Sequence, residues 1–158
     1  MTREQFTQYV KNNQRAVRRF LIALCCGNSA LADDLAQDTF VKAYLSCDSF
    51  REDGKFLTWL YRIAYNTFIS NRRTVRRSES IAEAERISSY ERSDRAFDHQ
   101  TLYIALEKLS EKERSAILLH YVQGYAVNEI ADITQSSVEA VKQLLSRGRQ
   151  HLKGLLKE

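Results

Sequence analysis

Phe6, Val10, Val17, Leu21 and Leu24 recur at the spacing of one helix face, with Lys11, Arg15, Arg18 and Arg19 set among them. Thr2 followed by Gln5 forms a capping box that opens this helix, and Gly27-Asn28-Ser29 ends it and caps the next. The second helix is predicted to bury Leu31, Leu35, Phe40, Val41 and Tyr44 and to carry its acids on another side. Ser46 to Lys55 is mostly polar and reads as a loop. A third, long helix starts near Phe56 and runs to about Arg73.

The apolar pattern lapses at Ser78. From there to Ala96 the chain carries Glu79, Glu83, Glu85, Arg86, Glu91, Arg92, Asp94 and Arg95 with few large apolar residues, which predicts a linker. Periodicity resumes at Phe97 with Leu102, Ile104, Leu106 and Leu109. Ser110 and Glu113 form a second capping box, opening a helix through Ile117, Leu118 and Tyr121 that stops at Gly124. A short helix follows over Val127 to Ile133, then Thr134-Gln135-Ser136. Ser137 is placed to cap a final helix that extends past Leu152. Short helix, tight turn and longer helix make a helix-turn-helix, with small Ala131 where the two helices approach. Val138, Val141, Leu145, Gly148 and Leu152 share the inward face of the last helix. The fold class expected is all-α: two small helical domains, 1–77 and 97–158, joined by a linker at 78–96, the C-terminal one containing the helix-turn-helix.

Composition agrees with this and narrows the function. The chain has 158 residues, no Pro and only 5 Gly, and few breakers favour helices. The formal net charge of +4 is compatible with a polyanionic partner. No apolar signal segment or long apolar run is present, so a cytoplasmic location is expected. Cys25, Cys26 and Cys47 are odd in number and lack C-x-x-C spacing, which argues against a disulfide framework; Cys25 and Cys26 are expected to fill an apolar helix face. The His residues are scattered. No metal spacing, phosphate-cradling glycine loop or nucleophile–base pair is visible, so no cofactor, no small-molecule substrate and no enzymatic activity are expected.

Three surfaces carry candidate binding chemistry. Asp33, Asp34, Gln37 and Asp38 form an acidic helical face suited to a basic protein. The alternative, a charge bias favoured by the helix dipole, weakens at Asp38, more than a turn inside. Arg62, Arg72, Arg73, Arg76 and Arg77 would attract phosphates, with no acid in 62–77. Tyr61, Tyr65, Asn66 and Phe68 lie beside them, where an aromatic ring can stack on a base and an amide can read its edge. Trp59 and Ile63 read as core. Phe50 stands in the polar loop without helical apolar partners, so base contact and burial are equally open to it. The third surface is the outer side of the last helix. After Ser137 it carries Glu139, Lys142, Gln143, Ser146, Arg147, Arg149 and Gln150; it could enter a major groove or be a solvated bundle face.

In this order and spacing the motifs resemble the small two-domain bacterial sigma factors of the extracytoplasmic-function group, over nearly the whole chain. Asp33 to Tyr44 looks like that family's acidic helix. Phe56-Leu57-Thr58-Trp59-Leu60-Tyr61-Arg62-Ile63-Ala64 with Asn66 is close to its promoter-opening helix. Gly124, Asn128-Glu129-Ile130-Ala131, Ser137, Val141-Lys142 and Ser146-Arg147 are similar to its C-terminal helix-turn-helix. The resemblance implies a dissociable subunit of RNA polymerase. Asp33, Asp34, Gln37 and Asp38 would dock on the polymerase clamp helices. Phe50 and Asn66 would hold a flipped non-template base of the −10 element, and the last helix would read the −35 element. It also implies an anti-sigma partner. Ser70 and Arg72 depart from the family's acid and apolar residue, Gln135 stands where its turn often has Gly, and Leu144 where it commonly has Arg. The other reading left open by the residues is a free-standing helix-turn-helix regulator acting without polymerase.

Overall fold

Seven α-helices form the described part of the chain, a computed structural model that covers residues 1–50, 55–82 and 100–156. Residues 51–54 of the expected loop, and 83–96 of the expected linker with Phe97, lie outside the described residues.

Local hydrogen bonding sets most helix ends. Helix α1 (Arg3–Leu24) opens on the Thr2–Gln5 capping box: Gln5 N donates to Thr2 Oγ1 at 3.1 Å and Thr2 N to Gln5 Oε1 at 2.9 Å. Past Leu24 the chain reverses through two left-handed residues, Cys26 at φ 53° and Gly27 at φ 91°. Glycine is required there on two counts, because a Cβ on Gly27 would also stand 3.0 Å from the Tyr103 ring. Cys25 and Cys26 are buried in this turn rather than along a helix face; the former is the C-cap of α1. Helix α2 (Ser29–Leu45) is capped by Asn28, whose Oδ1 accepts from Leu31 N at 3.1 Å.

The inward face of α2 differs from the expected one. It buries Ala32, Leu35, Ala36, Thr39 and Ala43, while Val41 is 57% exposed and Tyr44 39% exposed. Small residues let α2 lie close against its neighbours and turn the larger apolar groups outward. Cys47–Ser49 forms a single 3₁₀ turn inside the expected loop. Helix α3 (Phe56–Ala82) is 27 residues long and outruns its predicted end near Arg73, taking in the first residues of the expected linker. It buries Phe56, Leu60, Tyr61, Ala64, Tyr65 and Phe68.

The second half begins with α4 (Gln100–Glu107) and α5 (Glu111–Ile117), the latter opened by the Ser110–Glu113 capping box. The helix widens into a π-turn at Leu118–Val122 and ends at Gly124, φ 78°. Helices α6 (Val127–Thr134) and α7 (Val138–Leu156) follow. The turn between them places Gln135 at φ 54°, so the residue that replaces the family's usual Gly still adopts the left-handed conformation. Ser137 caps α7, accepting from Ala140 N at 3.1 Å. Val141, Leu145 and Gly148 face inward as expected; Val138 is 38% exposed. Ile130, Ile133, Val141 and Leu145 close the helix-turn-helix.

The two halves share one hydrophobic cluster. Phe20, Leu21 and Leu24 of α1 belong to the same core as Leu118 and Leu119, and α3 packs directly on α6. Full burial of each large apolar side chain contributes about 1.5–3 kcal/mol. At the centre of the contact sits Arg114, 8% exposed, whose guanidinium donates to the carbonyls of Leu106 (2.9 Å), Leu24 (2.7 Å) and Leu109 (3.3 Å). Leu24 closes α1, so this one side chain stitches the halves together.

Candidate nucleic-acid interface

The acids of α2 lie where an incoming protein can reach them. Asp33, Asp34, Gln37 and Asp38 are all exposed. Asp33 is already engaged: Arg18 Nη1 donates to its Oδ1 at 3.0 Å. Asp34, Asp38, Val41 and Leu45 follow one another at helical spacing, and Leu45 is 75% exposed. The face is therefore acidic at one end and apolar at the other. Sequence reasoning placed Val41 in the core; the run of spacings continuing from Asp34 was the signal for its exposure.

Phe50 is half-buried. Its ring meets Phe56 at 5.6 Å, edge to face, and Trp59 at 5.3 Å, so it has the helical apolar partners that its loop position concealed. Trp59 and Ile63, expected in the core, are each only partly buried. Trp59 also lines a cleft of about 340 Å³ with Thr58 and Arg62 on one side and Asn128 and Asp132 on the other. The Thr58 hydroxyl is buried there without a hydrogen-bond partner among the described residues.

Along α3 the expected nucleic-acid residues fall into two groups. Asn66, Arg73, Arg76 and Arg77 are exposed, and Arg62 and Arg72 are half-exposed. Tyr65 is not available to stack on a base, because it is buried, and its hydroxyl pKa is raised by burial and by Glu111. Tyr61 is wholly buried. Its hydroxyl donates to Gln123 Oε1 at 2.6 Å, and its ring meets Tyr125 at 5.5 Å, edge to face. Burial, then the neighbouring Tyr125, pushes its pKa upward. Burial and Glu129 push Tyr125 up to about 12.

Four cations of this helix and its entrance meet carboxylates from the second half. Lys55 Nζ lies 3.1 Å from Glu129, and Arg62 Nη2 lies 2.6 Å from Asp132, with Arg62 Nε also donating to the Asp132 carbonyl at 3.2 Å. Arg72 and Arg76 share Glu111, at 3.3 and 2.9 Å. The hydrogen bond from Lys55, then that from Ala126 N, holds the Glu129 carboxyl below the usual glutamate range.

The outer face of α7 is open. Ser137, Glu139, Lys142, Gln143, Arg147 and Arg149 are exposed. Lys142 is loosely paired with Glu139 at 3.9 Å, and Arg149 donates to the Tyr121 hydroxyl at 3.1 Å. A helix that buries Val141, Leu145 and Gly148 and turns Lys142, Gln143 and Arg147 outward has the geometry of a major-groove reader. Among the described residues no cluster of His, Cys, Asp and Glu could hold a metal ion, and no helix is long and apolar enough to cross a membrane.

Comparison with known proteins accounts for both halves. Residues 9–78 match the family described as Sigma-70 region 2, and residues 99–152 match Sigma-70, region 4. The chain is 32% identical to the ECF RNA polymerase sigma factor EcfG of Rhodopseudomonas palustris, over 89% of this chain and 79% of that one. It is 32% identical to the ECF RNA polymerase sigma factor SigW of Bacillus subtilis, over 84% and 79%. Among solved structures it is similar to the sigma factor RpoE of Bartonella quintana in complex with the anti-sigma factor NepR. There the TM-score is 0.82 at 30% identity, covering 98% of each chain. It is also similar to CnrH in complex with the cytosolic domain of CnrY, with a TM-score of 0.77 at 27% identity over 99% and 90%. A free-standing helix-turn-helix regulator would leave the match over residues 9–78 without a purpose.

Proposed function

The chain belongs to the extracytoplasmic-function sigma factors, which bind core RNA polymerase and direct it to initiate at specific promoters, and on that premise we propose how its residues divide the work. The region 2-like unit is 1–77 and the region 4-like unit 97–158, with 78–96 as their linker. Asp34, Gln37 and Asp38 dock on the clamp helices of polymerase, Val41 and Leu45 extend that contact, and Asp33 borders it from its ion pair with Arg18.

Helix α3 opens the −10 element. Arg62, Arg72, Arg73, Arg76 and Arg77 follow the phosphates, while Asn66 and Phe50 capture a flipped non-template base. Extruding a base costs a few kcal/mol, offset by stacking and phosphate contacts. Tyr65 enters this set only if α3 is uncovered. Helix α7 reads the −35 element: Lys142, Gln143 and Arg147 reach base edges, and Ser137, Glu139 and Arg149 position the helix. No bond is made or broken by the chain; it supplies binding energy in the cytoplasm, where polymerase acts. Each unit alone can bind weakly, because a common tether and a common polymerase raise the effective concentration of the second contact. An anti-sigma protein is the further partner, supported by likeness along nearly the whole chain to a sigma factor held in complex with one.

The observation that carries this reading is the pairing of an exposed acidic–apolar face on α2 with an arginine-bearing helix beside it. Transcription by purified core polymerase on a pool of genomic DNA tests it. Start-site-specific transcripts that require this chain are expected. Their absence, with polymerase shown active on another sigma factor, overturns the assignment.

A further inference from the structure

The cleft of about 340 Å³ between α3 and α6 is framed by two ion pairs, Lys55 with Glu129 at 3.1 Å and Arg62 with Asp132 at 2.6 Å. Thr58 lines it and is 8% exposed. This residue stands in the first turn of α3, so no carbonyl of that helix lies four residues before it. Thr67, farther along, returns its hydroxyl to Ile63 at 2.7 Å, whereas the Thr58 hydroxyl is buried with no partner among the described residues. A buried hydroxyl left unpaired destabilises a fold, so this one calls for a partner from outside the chain.

The remaining bonding capacity of the cleft says what that partner is. Both Glu129 oxygens are taken, Oε2 by Lys55 and Oε1 by Ala126 N. Arg62 uses Nε and Nη2 on Asp132, which leaves Nη1 without a partner among the described residues. Lys55 spends a single donor of its ammonium, and its side chain is 76% exposed and free to swing. The spare groups are therefore mostly N–H donors, with Asp132 Oδ2 the spare carboxylate oxygen, and they suit an anionic acceptor. Trp59 supplies an apolar wall, its ring backed by Phe50 at 5.3 Å and Phe56 at 5.6 Å. The ion pairs that join the two helices bound the space, so it admits a small molecule rather than a strand. We propose that this cleft binds a small aromatic carboxylate. The ring stacks on Trp59, the carboxylate takes Lys55 Nζ and Arg62 Nη1, and the Thr58 hydroxyl donates to the same anion. Because the ligand touches both α3 and α6, it strengthens the contact between them. The site goes beyond the sigma assignment and does not rest on it.

Trp59 is the single Trp of the chain, so the emission of the full-length protein reports on the cleft directly. Benzoate is titrated at constant ionic strength, with excitation at the red edge of indole absorption, and the thermal midpoint is read alongside. Saturable quenching is expected, with a dissociation constant on the order of 1 mM for so small a ligand. At about tenfold excess over that value the midpoint should rise by roughly 3–5 °C, by mass action. Benzamide keeps the ring without the charge and acetate the charge without the ring; each should bind at least roughly tenfold more weakly. Thr58→Val keeps the side-chain shape and removes the unpartnered hydroxyl. Its midpoint without ligand should hold or rise, while benzoate binding weakens roughly tenfold. Lys55→Gln, at an exposed position, should weaken binding similarly and serves if the first variant misfolds. Absence of saturable quenching overturns the site, as does an unchanged constant in both variants. Benzamide or acetate binding as well as benzoate overturns the ligand class. None of these readings involves polymerase, so failure here leaves the sigma assignment standing, and failure of start-site-specific transcription leaves this site standing.

Discussion

Arg114 Nη1 donates to the carbonyl of Leu24 at 2.7 Å, across 90 residues of sequence and from one half of the molecule to the other. Among the described residues the guanidinium has no carboxylate partner, and it donates to three backbone carbonyls near helix ends. Helix C-termini carry partial negative charge, which suits a buried cation there. Arg114→Leu fills the space but leaves those carbonyls unpaired. A loss of roughly 3 kcal/mol is expected, since hydrogen bonds to charged groups contribute about 1.5–3 kcal/mol each. Thermal denaturation should show the midpoint falling by about 6–12 °C. A midpoint within a degree of the parent would mean the contact is not made in solution.

The glycines of α7 separate packing from propensity. A Cβ on Gly148 would stand 2.7 Å from Ile117 Cγ1, whereas Gly154 has nothing within 4 Å. Both gain up to about 1 kcal/mol of helix propensity on going to Ala. Gly154→Ala should therefore stabilise slightly, less so because it lies near the helix end. Gly148→Ala should destabilise by about 1–2 kcal/mol, as overpacking between α5 and α7 outweighs propensity. Urea denaturation of the pair checks the sign of each; the same sign for both would contradict the close approach of α5 to α7.

Helix caps were legible because they are local. Thr2 with Gln5, Asn28, Ser110 with Glu113, and Ser137 each bond a backbone N–H three residues away, and the residue types announce it. The inward face of α2 was not legible, because a reading weighted to large apolar residues passes over Ala32, Ala36 and Ala43, which make the close contacts. Tyr61 and Tyr65 were read as base-stacking for a different reason. Gln123 and Tyr125 join Phe20 in burying Tyr61, and no local pattern reports the part of that contact made by the other half of the chain. Arg114 escaped notice on the same ground. The acidic and arginine-bearing faces were readable, since they consist of exposed charges at helical spacing.

The acidic face gives a direct test of docking. Asp38 is exposed and has no ion pair among the described residues, so its charge is available to a partner. Asp38→Arg should leave the thermal midpoint within a degree of the parent and lower affinity for core polymerase by roughly tenfold. The deficit should shrink as salt rises, because an exposed charge pair is screened within about 10 Å at 0.1 M. Competition binding against a labelled sigma factor at two salt concentrations measures both effects. Equal affinity of variant and parent would remove Asp38 from the docking surface.

Alkaline pH should weaken the fold from about pH 9 upward. Burial pushes the Cys25 thiol up to about 12 and the Cys26 thiol up to about 11, from an ordinary value of 9.0. Cys25 is raised further by its neighbour Cys26, and nearby Arg114 opposes both shifts. Tyr61 is raised by burial too. In each case the folded pKa lies above the unfolded one. Below about pH 9 both states hold these protons, and the stability they contribute is fully present. Above it the unfolded chain releases protons that the folded chain keeps, so stability falls with pH. Each such group takes away at most about 1.4 kcal/mol per pH unit until its folded pKa is reached. Urea midpoints should therefore be level from pH 7 to 8.5 and decline from pH 9 to 11, with a shallower decline in a Cys25→Ala, Cys26→Ala variant. The same burial predicts that Cys25, Cys26 and Cys47 react with a disulfide reagent at pH 8 only after denaturant is added. Rapid labelling of Cys25 or Cys26 in the native chain would place that turn in water and remove the thiol contribution to the alkaline limb.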